Sequence, residues 1–310
     1  MRIGFLGKGG SGKTTLAAAF TTYCAQKHDV LAIDADQNTN LAHTLGIEGS
    51  FPIGPHARDI ASYLRAERSD LGSAPMIATT PPSLESRFVR VREDDPLLER
   101  YATRSGRITL IQGGTYEGDD VGVTCYHGKL EPVEMIFHHL LDTEDDIVVT
   151  DATAGLDSLG HSMGIVHDLI IYVVEPTRKS IDVYEAFMRA SEGLGLNVRV
   201  VANKIRSDEE RAYVTLRIPK VLAFVEENDA VRAFERTGDG MDSFIEANSG
   251  VLEMIRRELE ATPKEWSRYY ERLLAIHEKS AKAWYDAYHN TEVSKQKDER
   301  FSYETVIARV

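Results

Sequence analysis

The sequence predicts an α/β fold: a doubly wound, mostly parallel sheet of about seven strands, followed by a C-terminal helical extension. Three observations predict it. Short apolar runs alternate with helical patterns from Arg2 to the stretch after Pro219, as in a parallel sheet covered by helices on both faces. A glycine-rich segment separates the first run from the first helix. Past Val251 only helical periodicity continues.

Arg2 to Leu6 reads as the first strand, Lys13 to Gln26 suits a helix, and Val30 to Asp34 is a second buried strand. Further strands are expected at Ile108–Gln112, Ile147–Asp151, Leu169–Val174 and Val198–Asn203, and one more after Ile218-Pro219. Helices are expected at Glu131–Leu141 and Ile181–Gly193. Between Phe51 and Arg107 the prolines at 52, 55, 75, 81, 82 and 96 weaken the pattern and leave one expected helix near Asp59–Arg68. Thr262-Pro263-Lys264-Glu265 reads as a capping box with proline at the first helical position. Trp266, Tyr270, Leu273, His277 and Trp284 then make an apolar stripe, expected to pack on the sheet. The expected organisation is one α/β domain over residues 1–250 and a packed helical extension over 251–310.

Composition sets the outer limits. With 310 residues, 42% hydrophobic and 27% charged, the chain can bury a substantial core, and no apolar run is long enough for a membrane span. Its 36 basic against 49 acidic residues give a formal net charge of -13, which opposes chain-wide attraction to nucleic acid or anionic lipid. Residues 252–290 are balanced, with seven basic and seven acidic side chains, so no basic membrane helix is expected there. Two cysteines, Cys24 and Cys125, make no disulfide framework, and the first residues lack a signal-peptide pattern, so the expected compartment is a reducing cytoplasm.

The strongest signal is Gly7-Lys8-Gly9-Gly10-Ser11-Gly12-Lys13-Thr14, a match to G-x-x-x-x-G-K-[ST] between a predicted strand and a predicted helix. Glycines let successive backbone N–H groups turn inward around a phosphate, and the helix N-terminus adds a favourable dipole. In that pattern Lys13 holds the β and γ oxygens, the Thr14 hydroxyl ligates Mg²⁺, and Thr15 is placed for the α-phosphate.

Lys8 sharpens the reading, because Lys-Gly-Gly-x-Gly-Lys-Thr resembles, residue for residue, the deviant phosphate loop of the MinD/ParA-type ATPases. The resemblance implies ATP as the nucleotide and a homodimer in which Lys8 reaches the phosphates bound by the other subunit. Asp34-Ala35-Asp36-Gln37-Asn38-Thr39-Asn40-Leu41 is similar to that family's first switch, D-x-D-P-x-x-N-L. By that resemblance Asp36 orients the attacking water and acts on Mg²⁺ directly or through water, with Gln37 in place of the usual proline. Asp151, at the end of Ile147–Thr150, matches a second-switch aspartate that acts on Mg²⁺ through water. Asn203 resembles the adenine-reading asparagine, and Pro219 with the strand after it resembles the far wall of that pocket. On their own, Asp34 and Asp36 can also be read as acidic caps at a strand end, and Asn203 as a turn residue.

Three longer stretches, Asp151 to Gly160, Val174 to Ser180 and Val201 to Arg206, resemble the accessory ATPases that insert nickel into carbon-monoxide dehydrogenase. Those proteins carry a Cys-x-Cys pair that presents four thiolates at a dimer interface; here Val123 stands in the first position and Cys125 in the second. Cys125-Tyr126-His127 keeps the spacing, so two chains would offer Zn²⁺ or Ni²⁺ a Cys₂His₂ set. The expected function is a slow, Mg²⁺-dependent, dimer-coupled ATP hydrolase acting as a conformational switch in metallocentre assembly, with a metalloenzyme client. The alternatives are a positioning or partitioning ATPase and a nucleotide-binding regulator without a metal role. Neither nucleic acid nor a membrane anchor is expected.

Overall fold

A parallel strand buried on both faces must be apolar at nearly every position. β1 (Arg2–Gly7), β2 (Val30–Ala35), β7 (Ile147–Ala152) and β8 (Leu169–Val174) meet that demand and are buried along their whole length in the computed structural model. The structure describes residues 1–72, 74–92, 94–114, 126–160, 162–227, 233, 240–286 and 292–309, with the backbone alone described at Tyr126 and His127. The other strands are β3 (Val89–Arg90), β4 (Thr103–Ser105), β5 (Ile108–Gln112), β6 (Leu140–Leu141), β9 (Val198–Ile205) and β10 (Val221–Glu226).

The main sheet runs β10-β9-β8-β1-β7-β2-β5-β4. Its first seven members are the seven expected strands, all parallel, while β4 adds an antiparallel edge to β5. Thr103-Arg104-Ser105 is short and polar and carries no strand signal of its own; it pairs because the chain doubles back through Gly106 (φ 56°). A separate short pairing joins β3 and β6.

The helices are α1 (Lys13–Ala25), α2 (Leu41–Thr44), α3 (Ala57–Arg65), α4 (Pro96–Tyr101), α5 (Tyr126–His139), α6 (Arg178–Ala190), α7 (Asp208–Arg217), α8 (Met241–Ala247), α9 (Ser249–Glu260), α10 (Trp266–Ala281) and α11 (Tyr303–Ile307). Strand alternation divides the core between them. On β2, Leu31, Ile33 and Ala35 face the cluster holding α3, α5, α10 and α11, whereas Val30 and Ala32 face the cluster holding α1, α8 and α9. Ala17, Ala18 and Ala19 of α1 are fully buried, and such small side chains let this helix lie close over the sheet. A third cluster packs α6 and α7 against β8 and β9.

Four expectations need correction. The helix expected near Asp59–Arg68 spans Ala57–Arg65 and closes at Ala66, which has φ 49°. The helix expected at Glu131–Leu141 begins at Tyr126 and ends at His139, because Leu140 and Leu141 leave it to pair with β3. The capping box does not form: the Thr262 hydroxyl donates to the Glu258 carbonyl at 2.9 Å and accepts from Asn197 Nδ2 at 3.2 Å. With Thr262 so engaged, α10 starts at Trp266 behind Glu265. Its buried stripe is Trp266, Tyr269, Leu273 and His277; Tyr270 is only partly buried and Trp284 is 69% exposed.

Candidate functional site

The carboxyl ends of β1, β2, β7 and β9 converge, and each delivers one part of a site. β1 ends at Gly7, whose added Cβ would stand 2.5 Å from the Val173 carbonyl oxygen, so only glycine fits against β8 there. The chain then turns through Gly10 (φ 81°) and Gly12 (φ 92°) into α1. Lys8 to Thr14 therefore form a glycine-lined cradle at a helix N-terminus, where the first N–H groups have no intrahelical acceptor. Thr15 is half-buried in the first turn of α1.

Asp34 and Asp151 are direct partners in the register of β2 and β7, which sets two carboxylates side by side under the loop. Asp34 is fully buried and accepts from the backbone N–H groups of Asp36 at 3.1 Å and Leu41 at 2.9 Å, so it shapes the first-switch turn. Burial and the neighbouring Asp151 push its carboxyl up to about 8, against the pull of those two N–H groups. Burial pushes Asp151 up to about 6, while Lys13 and the Thr14 hydroxyl draw it back. Asp36 takes the Lys13 ammonium on one oxygen and the Asn38 backbone and side-chain N–H groups, at 3.0 and 2.9 Å, on the other.

Lys13 also lies 3.9 Å from Asp151, and the Thr14 hydroxyl donates to Asp151 at 2.6 Å. Burial lowers the Lys13 ammonium, but Asp151 and Asp36 outweigh it and hold the group above its ordinary value. Asp151 Oδ1, Ser11 Oγ and Asn203 Oδ1 are buried and have no hydrogen-bond partner among the described residues. These orphaned polar atoms surround the loop, where a polyanion and a cation would satisfy them.

Asn203 at the end of β9 donates from Nδ2 to the Ser11 carbonyl at 2.8 Å and lies so close to Gly12 that a Cβ there would stand 2.2 Å away. The next residue was singled out by no role in the sequence. Lys204, at φ 61°, donates to the Gly10 carbonyl at 2.8 Å and stands 3.5 Å from Glu175, which is in turn 4.0 Å from Lys8. Glu175 thus links the two lysines that flank the loop. Both fall in stretches that the sequence set apart, Val174 to Ser180 and Val201 to Arg206, but neither residue was given a role there. Gly155, after β7, donates its N–H to the Gly7 carbonyl at 3.0 Å, tying the second-switch segment to the loop. Pro219 is exposed on the bend between α7 and β10, and among the described residues no hydrogen bond joins it to the loop.

Cys125 and the His127 side chain lie outside the described residues. Among those described, no group of three or more His, Cys, Asp or Glu side chains is arranged to hold a metal ion.

Residues 5–239 match the family model described as the CobQ/CobB/MinD/ParA nucleotide binding domain. The chain belongs to this family. Among curated relatives it is 28% identical over 212 residues to an uncharacterized ATP-binding protein of Methanocaldococcus jannaschii, covering 68% of this chain and 77% of that one. It is 24% identical over 242 residues to the carbon monoxide dehydrogenase accessory protein CooC of Rhodospirillum rubrum, covering 77% of this chain and 88% of that one. Among solved structures, MinD from Pyrococcus horikoshii OT3, complexed with Mg-ADP, superposes with a TM-score of 0.55 at 16% identity, covering 84% and 96% of the two chains. The Aquifex aeolicus MinC:MinD complex gives 0.53 at 20% identity, covering 85% and 97%. These likenesses establish a MinD-like fold. Among the described residues no helix is long and apolar enough to cross a membrane.

Proposed function

We propose that this protein is an ATP-driven conformational switch: two chains close around ATP, hydrolyse it slowly with Mg²⁺, and pass the change of shape to a client. The observation that carries the reading is the meeting of Lys13, Thr14, Asp36 and Asp151 at one point beneath a glycine cradle. The donor set is hydroxyl and carboxylate oxygen, the chemistry magnesium prefers, and Thr14, Asp36 and Asp151 would hold it. The bound ion supplies charge neutralisation at the phosphate oxygens.

The chain's own residues do the rest. Lys13 turns from Asp36 toward the β and γ oxygens, and the Asp36 oxygen it releases accepts a hydrogen bond from the attacking water. Asn38 keeps the other Asp36 oxygen fixed and so sets the direction of that bond. Gly155 follows the γ-phosphate by exchanging its bond to Gly7. Asn203 holds the loop with Nδ2 and offers Oδ1 to the base, with Pro219 in the far wall; Lys8 leaves Glu175 for the partner's phosphates. The finer role we assign is metallocentre assembly. It is supported by the stretches Asp151–Gly160, Val174–Ser180 and Val201–Arg206, and by the distant similarity to CooC.

Two experiments test these layers. Phosphate release should require Mg²⁺ and fall at least about 10²-fold in Asp36→Ala, while ATP still binds; release that survives the substitution would remove the hydrolytic assignment. Elemental analysis of ATP-loaded protein offered zinc or nickel should give about half an ion per chain, lost in Cys125→Ser, if Cys125 and His127 build an interfacial site. No bound metal in any nucleotide state would leave the switch without a metal role.

A further inference from the structure

Successive side chains of a strand point to opposite faces, so two neighbouring residues of β9 are not expected to reach the same side of one loop. Asn203 and Lys204 do. Asn203 Nδ2 donates to the Ser11 carbonyl at 2.8 Å, and the Lys204 ammonium donates to the Gly10 carbonyl at 2.8 Å. The sheet register explains how. Ala202 pairs with Phe224 and Ile205 with Glu226, so three steps along β9 match two along β10, a β-bulge at Asn203-Lys204. Packing records the same extra residue. Val200 and Ala202 face the cluster that holds α6 and α7, and Val201 faces the cluster under α1, yet Ile205 packs with Ala202 where strict alternation would send it with Val201.

Lys204 has φ 61°, a left-handed conformation that a residue other than glycine holds only where its surroundings enforce it. Here that conformation keeps the ammonium on the loop, 3.5 Å from Glu175 as well. Glycine would take the same backbone without strain, but it has no side chain to reach Gly10.

The consequence lies in two peptide planes, because the C=O and N–H of a trans peptide point in opposite directions. Lys204 fixes the plane of the Gly10–Ser11 peptide, whose N–H closes the turn onto the Lys8 carbonyl at 3.1 Å. Asn203 fixes the plane of the Ser11–Gly12 peptide, whose N–H therefore points away from β9. Two successive planes of the loop are thus set by two successive side chains of one strand.

We propose that Lys204 is a positioning residue for nucleotide binding: the bulge and the left-handed backbone aim its ammonium at Gly10, and together with Asn203 it preshapes the cradle for a β-phosphate. This deepens the nucleotide reading above and rests on it. ADP·Mg²⁺ is the probe, because it carries the β-phosphate without the γ-phosphate that the proposed dimer requires. In calorimetric titration, Lys204→Met, which keeps the stem and loses the ammonium, should weaken ADP about tenfold, and Lys204→Arg should recover most of that loss. The nucleotide-free Lys204→Met chain should melt within about 3 °C of wild type, since the bond it loses lies near the surface. Its Ser11 amide should nevertheless exchange with deuterium at least about tenfold faster, because the peptide plane behind the Lys8 turn is released. An ADP affinity that Lys204→Met leaves unchanged overturns the proposal while the nucleotide reading stands. Weaker affinity with unchanged Ser11 exchange also overturns it, for Lys204 would then act only as a nearby charge. So does weaker affinity accompanied by a larger fall in Tm, which marks a general loss of stability. A wild-type chain that binds neither ADP nor ATP removes the nucleotide reading itself, and this inference with it.

Discussion

Lys13 is held by two carboxylates and must leave at least one of them to meet a phosphate. Replacing it with alanine removes a charge-assisted hydrogen bond, so nucleotide affinity should weaken about 10- to 100-fold; calorimetric titration with ATP checks this, and unchanged affinity would contradict it. Asp34 gives a pH prediction. Its carboxyl is raised from 3.8 to about 8, so the folded chain binds that proton more tightly than the unfolded chain across this window. The contribution of Asp34 to stability therefore falls as pH rises from near 3.8 to about 8. Asp34→Asn should show a flatter decline of Tm over the same range, offset downward because an amide nitrogen cannot accept from Leu41 or Asp36. Parallel profiles would contradict the shift. At this scale the short motifs at strand ends, Gly7 to Thr14, Asp36, Asp151 and Asn203, named in advance residues that the fold gathers round one loop. Glu175 and Lys204 lie in stretches the sequence set apart, yet their contacts could not be read there, because these exist only once β8 and β9 bring them to the loop.

The elements are joined by close approaches that substitution can probe. A methyl at Gly12 would stand 2.2 Å from Asn203 Nδ2 on a backbone at φ 92°, so Gly12→Ala should cost about 1–3 kcal/mol in chemical denaturation. Adding Asn203→Ala should recover part of that loss, since the clash is shared; strict additivity would show that the contact is not the cause. On the other side of the sheet, the Tyr303 hydroxyl donates to the His138 carbonyl at 2.6 Å in the core, and His138 Nδ1 meets the Tyr269 hydroxyl at 2.6 Å. Tyr303→Phe strands that buried carbonyl and should cost about 1–3 kcal/mol. The seven parallel strands were legible because continuous apolar runs have one use at that length. The start of α10 was misread because a capping-box pattern at Thr262 to Glu265 is local, whereas the Asn197 and Glu258 partners that claim Thr262 are not. β4 was missed because its strand character comes entirely from pairing with β5.

At the scale of the whole molecule, the groups proposed to act on ATP lie at one end of the sheet, and the C-terminal helices are buried against one face of it through Trp266, Tyr269, Leu273, Phe301 and Tyr303. Lys8 stands at the rim of the site, about one-third exposed and only 4.0 Å from Glu175, a contact worth little at such exposure and easily exchanged for a phosphate. The account rests on that exchange taking place across a dimer. Its most direct test is sedimentation of Asp36→Ala, which should hold ATP without consuming it, alone and combined with Lys8→Ala, each saturated with ATP·Mg²⁺ or ADP·Mg²⁺. The prediction is a dimer for Asp36→Ala with ATP, a monomer with ADP, and a monomer in both for the double variant. A chain that binds ATP and stays monomeric, or that dimerises without Lys8, would contradict the nucleotide-sandwich switch.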